Sequence, residues 1–524
     1  MNPMEAMLEV LRTEGVEKIF GNPGTTELPL IDALAKAADF EYVLAVQEHS
    51  AVAMADGYAR ATGRTAFVNL HVAAGLANGL IGMLNAKRSR TPLVVTAGRQ
   101  DSRHLVEDPM LAGDLTALAS AAAKSAIEVR RAEDLPIVLR RAFALAATPP
   151  AGPVFVSIPM DLLIEDVEVP LPERSPLAPL GAATGLDQAA WLLASAGNPA
   201  IVAGDGVGRD GALPQLVNLA ERLGATVFHP PMHDRVNFPF THPLHAGMLP
   251  PRNAEIRSAL AEHDVVLVVG CHAFSPHHYT PGPAIPAHTR VVQLDDDPTE
   301  LGRNFTVELG LTGGIRASLT ELVSQVGRRT HPVRAEDPPV GGSALATVRA
   351  PLDAAVAARA IAEGLPADAV VVDEAITVGV ELRPLLRLTQ PGSFVHTVGG
   401  GLGWGIGAAI GSRMGRPDRP VVAVLGDGCA LFGLQGLWSA ARYHVPVLFL
   451  VMNNGEYRTL KDTLAEFYGP GPHPGLDLGR MEWSKAALFF GVAAHRVDSD
   501  DELREVVASA GSLVAPLLVD VPVR

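Results

Sequence analysis

The sequence predicts an α/β chain of three doubly wound parallel-sheet domains, and three observations carry that prediction. Short apolar runs at 42–46, 66–70, 92–96 and 154–158 recur with helical segments between them, the alternation expected of βαβ units. Hydrophobic residues make up 48% of the chain and aromatics only 5%, the Ala-, Val-, Leu- and Gly-rich palette of helices layered on buried parallel strands. Two stretches break the rhythm, a proline-rich one at 167–179 and a second at 328–342 rich in Pro, Gly and charge, and both read as linkers.

Taken in order, the four N-terminal runs make a first domain at 1–175. The runs at 200–203, 265–269 and 291–294 make a second at 176–335, and those from 370–372 to 517–519 a third at 345–524. A chain of 524 residues is too long for one core, and at ~150 residues per domain it suggests three. Net charge is −15, which argues against nucleic acid or an anionic membrane as the main partner. The densest basic group, Lys87-Arg88-Ser89-Arg90, reads as a solvated helix end. Two cysteines, Cys271 and Cys429, fit a reducing cytoplasm better than a disulfide framework. No basic leader opens the sequence and no run reaches the ~18 apolar residues of a membrane span, so a cytoplasmic location is expected.

In open parallel sheets ligands collect at the carboxyl ends of strands, and the distinctive polar residues fall there. Glu48 follows the run at 42–46, and His71 follows Phe67-Val68-Asn69-Leu70. Near the C-terminus the run at 421–425 stops at Gly426-Asp427-Gly428 and that at 445–452 stops at Asn453-Asn454-Gly455. An Asp carboxylate, an Asn amide oxygen and a backbone carbonyl suit a magnesium ion that completes its octahedron with phosphate oxygens and water. Glycines beside Asp427 let backbone N–H groups approach those phosphates. Ordinary strand-to-turn exits also use Gly, Asp and Asn, but here both clusters occur with 24 residues between Gly428 and Asn453.

That spacing resembles the signature of the thiamine-diphosphate enzymes. In the first third, Phe20-Gly21-Asn22-Pro23-Gly24-Thr25-Thr26-Glu27-Leu28-Pro29, Val46-Gln47-Glu48-His49 and Asn69-Leu70-His71-Val72-Ala73-Ala74-Gly75 are similar to benzoylformate decarboxylase and its relatives within that family. The resemblance implies a pyrimidine-binding first domain, a middle domain, a diphosphate-binding third domain, and thiamine diphosphate with Mg2+ as cofactors. It implies non-oxidative decarboxylation of a benzoylformate-like 2-oxo acid to an aldehyde and carbon dioxide, in a homodimer or homotetramer with active sites between subunits. A carboligase of the acetolactate synthase kind is the alternative.

By the same resemblance Glu48 hydrogen-bonds the pyrimidine ring nitrogen, and burial beside that nitrogen would let the acid share a proton. As a plain helix-start charge it would interact with the helix dipole instead. Leu402, in Gly399-Gly400-Gly401-Leu402-Gly403-Trp404-Gly405, matches the apolar wedge that bends the cofactor, and the Gly400 carbonyl is the acceptor for the pyrimidine amino group. Thr377 is a candidate for a diphosphate oxygen, or simply a helix cap. The diphosphate and metal fall to Gly426, Asp427, Gly428 and Asn454, with Glu456 contributing its carbonyl to the metal. His71 stands where acetolactate synthases carry a Gly-Pro-Gly turn, and an imidazole suits the proton delivery that aldehyde release needs. His277 offers a second imidazole, with His278 adjacent, and Thr25 a hydroxyl for the substrate carboxylate.

Other motifs compete. Gly204-Asp205-Gly206-Val207-Gly208 is a loose dinucleotide fingerprint without a closing acid, and Cys271, His272, His277 and His278 lie close enough to raise zinc without a second ligand pair. Arg458, Thr459 and Thr463 depart from the aromatic-lined pocket of a strict benzoylformate enzyme. Arg458 either favours a second carboxylate on the substrate or pairs with an acid such as Asp462.

Overall fold

In a computed structural model the described residues are 1–274, 278–328, 347–469 and 471–524; His277 and most of the 328–342 stretch lie outside them. Three six-stranded sheets organise the chain. The first is built from β1 (Lys18–Gly21), β2 (Glu41–Leu44), β3 (Ala66–Leu70), β4 (Leu93–Arg99), β5 (Ser125–Glu128) and β6 (Pro153–Pro159), in the order β2-β1-β3-β4-β6-β5. Every pairing is parallel. Strands β3 and β6 are buried along their whole length, which is why they read as unbroken apolar runs and not as alternating ones.

The middle sheet holds β7 (Pro199–Ala203), β8 (Thr226–His229), β9 (His245–Met248), β10 (Val265–Val269), β11 (Arg290–Asp295) and β12 (Leu309–Thr312), ordered β12-β11-β10-β7-β8-β9 and again parallel. In the third part of the chain come β13 (Val370–Glu374), β14 (Phe394–His396), β15 (Val421–Gly426), β16 (Val447–Asn453), β17 (Ala493–Arg496) and β18 (Leu517–Pro522), and β13-β15-β16-β18-β17 pair in parallel in that order.

Strand ends differ from the sequence expectation by a few residues, for local reasons. Strand β2 stops at Leu44 instead of 46 because Gln47 caps the following helix, Glu48–Thr62, its side chain accepting the N–H of Ser50 at 2.9 Å. The run from 445 enters its strand only at Val447, after Pro446, which has no N–H for the ladder. The 167–179 stretch contains neither helix nor strand.

Contacts divide the chain into two compact units, Met1–Leu177 with Thr347–Arg383 and Thr397–Arg524, and Ala178–Ala346 with Pro384–His396. The first sheet and strands β13, β15, β16, β17 and β18 therefore share a unit. Their join is the crossing of the Glu48–Thr62 helix with the Trp404–Gly415 helix. Gly407, Gly411 and Gly415 recur every fourth residue, which stacks them on one face, against the Glu48–Thr62 helix. A Cβ on Gly411 would lie 1.8 Å from the Met54 carbonyl oxygen, and one on Gly57 would lie 2.1 Å from that of Ala408. A hydrogen bond from Trp404 Nε1 to Asp56 Oδ2 at 2.6 Å reinforces the crossing, and Arg60 holds the same carboxylate at 2.9 Å from within its own helix.

Because backbone cannot yield as a side-chain tip can, Gly411→Ala is expected to destabilise the protein by about 1–3 kcal/mol, measured by urea titration. An unchanged midpoint would mean that the helices are not in backbone contact.

Candidate active site

Strand order in the first sheet reverses at β1, whose neighbours are β2 and β3, so the crevice beyond the ends of β1 and β3 is the place for a ligand. Asn22 follows β1 and His71 follows β3. Glu48, first residue of its helix and 7% exposed, is held by two amides. Asn22 Nδ2 donates to Oε1 at 3.1 Å and Asn78 Nδ2 to Oε2 at 3.0 Å, and each oxygen keeps a lone pair for another donor. Gly75 lies against the carboxylate; a Cβ there would come within 3.2 Å of Oε1.

His71 precedes the Val72–Arg88 helix, and its ring Nδ1 lies 2.8 Å from Glu27 Oε2 and 3.1 Å from Thr26 Oγ1. The next residue, Val72, is fully buried with φ of +42°, a region that β-branched residues avoid. Such strain clusters where a side chain must be aimed. Thr25 opens a short 3-10 turn and is exposed. His49, beside Glu48, is buried, and desolvation pushes its pKa down to about 4 against a weaker upward pull from the backbone of Gly403 and Leu402; it is neutral at physiological pH.

The second group gathers where β13, β15 and β16 end. Asp427 Oδ2 accepts N–H groups of Asn454 (3.1 Å) and Gly455 (2.7 Å), and Oδ1 accepts that of Gly428 (2.7 Å). Burial pushes its carboxyl pKa up while those three N–H groups pull it down. Asn454 Oδ1 accepts the N–H of Glu456 at 3.0 Å and retains a second lone pair. The Glu456 side chain pairs with Arg458 and Lys461, which leaves its carbonyl as the available metal donor. Thr377 precedes a short helix without capping it, and its hydroxyl meets Thr459 Oγ1 at 3.1 Å.

Around Leu402 the chain is fixed by residues that the sequence did not single out. Asn85, fully buried, brackets one residue: its Nδ2 donates to Gly401 O (2.8 Å) and its Oδ1 accepts from Gly401 N (3.0 Å). Gly400 has φ of +76° with open space where a Cβ would stand. Glu374, at the end of β13, accepts the N–H groups of Trp404 and Gly405, both at 3.0 Å. Neither residue has a motif of its own; only position at a strand end or helix end could have raised them.

Glu48 and His71 thus stand at strand ends of the first sheet, and Asp427, Asn454, Glu456 and Thr377 follow strands of the third. No hydrogen bond among the described residues joins the two sets. His278 is exposed. Among the described residues no three His, Cys, Asp or Glu side chains group as metal ligands; His272 is taken by Glu300 at 2.5 Å. At Gly204-Asp205-Gly206-Val207-Gly208 the Asp205 carboxylate itself accepts the Asp234 N–H (3.0 Å) and Asn237 Nδ2 (2.8 Å), and Gly206 N donates to Gly270 O (2.8 Å). An acid stands where a dinucleotide would bring a phosphate. No described helix is long and apolar enough to cross a membrane.

Three family descriptions match successive parts of the chain. Thiamine pyrophosphate enzyme, N-terminal TPP binding domain, covers residues 1–119; the central domain covers 186–322; and the C-terminal TPP binding domain covers 377–521. Benzoylformate decarboxylase of Pseudomonas aeruginosa is 35% identical over 99% of this chain and 98% of its own length. The chain belongs to the thiamine-diphosphate-dependent enzymes. A probable acetolactate synthase large subunit of Methanococcus aeolicus is 27% identical over 99% of this chain and 92% of its own. The solved thiamine diphosphate-dependent 4-hydroxybenzoylformate decarboxylase of Rhodococcus jostii RHA1 superposes with a TM-score of 0.93 at 33% identity, covering 100% of this chain and 99% of that one.

The residues present fit the family's cofactor. Asp427 is a desolvated carboxylate that a cation would compensate, and Gly400 leaves the approach to its peptide open. Glu374 carries a titration signature of its own. Desolvation pushes its pKa up to about 8, more than the N–H groups of Gly405 and Trp404 pull it down. Between the unfolded carboxyl range and about pH 8 the folded state therefore holds a proton that the unfolded chain has released, and stability falls as pH rises through that window. Glu374→Gln is expected to flatten the decline in urea stability between about pH 5 and 8 relative to the parent. Parallel pH curves for the two proteins would show that Glu374 stays ionised.

Proposed function

We propose that this enzyme is a non-oxidative 2-oxo acid decarboxylase dependent on thiamine diphosphate and magnesium, releasing an aldehyde and carbon dioxide from a benzoylformate-like substrate. The observation that carries the reading is His71, an imidazole at the first sheet's crevice in a position where acetolactate synthases carry a Gly-Pro-Gly turn. Bound to the protein, thiamine diphosphate supplies a nucleophilic ring carbon and takes up the electrons left when carbon dioxide departs.

The chain's own groups divide the remaining work. Glu48 shares a proton with the pyrimidine nitrogen. Asp427, Asn454 and the Glu456 carbonyl hold magnesium; Gly426, Gly428 and Thr377 serve the diphosphate; Leu402 and the Gly400 carbonyl set the cofactor's shape. His71 and His277 move protons at the substrate, and the Thr25 hydroxyl donates to its carboxylate. Glu48 lies in the 1–175 domain and the metal ligands in the 345–524 domain, and we take the active unit to be a homodimer or homotetramer with each site completed between subunits.

The pairing of Arg458 bears on the substrate class. Its guanidinium is engaged by Glu456 rather than by Asp462, which favours a substrate with one carboxylate over a dicarboxylic one. A carboligase reading draws on the acetolactate synthase relatives and would bring a flavin to the middle domain.

Carbon dioxide release assayed across aryl, alkyl and dicarboxylic 2-oxo acids is the test. Turnover of an aryl or alkyl acid to its aldehyde is expected, and a yellow protein that yields only acetolactate-type products would overturn the reading. Asp427→Ala is expected to abolish thiamine-diphosphate binding in magnesium buffer by calorimetry with the fold intact; unchanged affinity would remove Asp427 from the metal site.

A further inference from the structure

Glu27 is buried, with 2% of its surface exposed, and closes the short 3-10 turn Thr25–Glu27. Each of its oxygens accepts two donors. Oε1 takes the Thr26 hydroxyl at 2.7 Å and the Gly98 N–H at 2.9 Å; Oε2 takes the Gly24 N–H at 2.9 Å and His71 Nδ1 at 2.8 Å. Two backbone N–H groups and a hydroxyl supply negative-charge stabilisation that a neutral carboxyl would not need.

Counting protons then settles the imidazole. Thr26 has one hydroxyl hydrogen and gives it to Glu27 Oε1, so at 3.1 Å from His71 Nδ1 its oxygen only accepts. Glu27 Oε2 is likewise an acceptor. Both neighbours of Nδ1 lack a proton to offer, and so Nδ1 carries the ring hydrogen. Among the described residues no hydrogen bond engages Nε2, and the ring is partly open to solvent, 21% exposed.

We propose that Glu27 is the positioning residue of His71: its carboxylate holds the imidazole in the Nδ1–H form and turns Nε2 toward the substrate. This rests on the reading above, in which His71 serves a 2-oxo acid. The ring then exchanges protons at one atom only, giving a proton from Nε2 when charged and accepting one there when neutral, with Nδ1–H kept throughout. Gly98 belongs to β4 and Gly24 to the turn after β1, so the same carboxylate ties both strand ends to the residue that follows β3. Gly24 is required by the contact, since a Cβ there would fall 2.2 Å from His71 Nδ1.

A double-mutant cycle separates positioning from mere support of the backbone. Glu27→Gln is expected to lower kcat for aldehyde release by roughly 10–100-fold, the scale seen when a partner that fixes an imidazole tautomer is removed, with KM moving less. In the His71→Ala background the same substitution should cost almost nothing more. An equal loss in both backgrounds would assign Glu27 to the backbone and overturn the proposal. If Glu27→Gln does not fold, imidazole 15N NMR of the unaltered protein decides, with the His71 signals assigned by their loss in His71→Ala. An Nδ1–H, Nε2 lone-pair form of the neutral ring is expected, and a dominant Nε2–H form would contradict the proposal. That spectrum needs no turnover, so failure to find a decarboxylated substrate counts against the functional reading and not against the tautomer.

Discussion

The contact on which the rest depends is the backbone approach of the Glu48–Thr62 and Trp404–Gly415 helices. Each helix starts at a candidate site residue or beside one, Glu48 in one case and the Leu402 loop in the other. Side chains between them would set the helices farther apart. Glycine at every fourth position removes that spacer, and van der Waals contact between main chains takes its place. The positions of Glu48 and Leu402 are thereby fixed by rigid elements.

Around this frame the site is a set of acids whose oxygens are met by amide N–H groups. Glu48 has Asn22 and Asn78, Glu27 has Gly24 and Gly98, Glu374 has Trp404 and Gly405, and Asp427 has Gly428, Asn454 and Gly455. Amide donors stabilise a carboxylate without adding a competing cation. Asp427 and Glu48 are the acids proposed above for the metal and the pyrimidine nitrogen, whereas Glu27, with two partners on each oxygen, holds other parts in place.

Much of this was legible in the sequence because it is local. Apolar runs marked eleven of the eighteen strands, missing the short β1, β5, β8, β9, β12, β14 and β17, and the residues just past the marked ones, Glu48, His71, Asp427 and Asn454, stand at carboxyl ends of parallel strands. What was not legible depends on partners far away in the chain. Glu27 meets Gly98 and His71 across three strand ends, and only the Gly24-x-x-Glu27 spacing of a capping box hinted at its turn. Asn85 reaches Gly401 across 316 positions, with no periodic signal. The glycines at 407, 411 and 415 carry no signal of their own until the Glu48–Thr62 helix with Gly57 is set against them.

The division of labour between cofactor activation and product release is the central claim, and hydrogen–deuterium exchange at the reactive ring carbon of thiamine diphosphate tests it most directly. With steady-state decarboxylation measured alongside, Glu48→Gln should slow both processes, by roughly 10²–10⁴-fold for loss of a positioned acid–base group. His71→Ala should leave exchange near the parent rate while aldehyde release falls. Exchange slowed in His71→Ala as severely as in Glu48→Gln would place the histidine in cofactor activation and contradict the account.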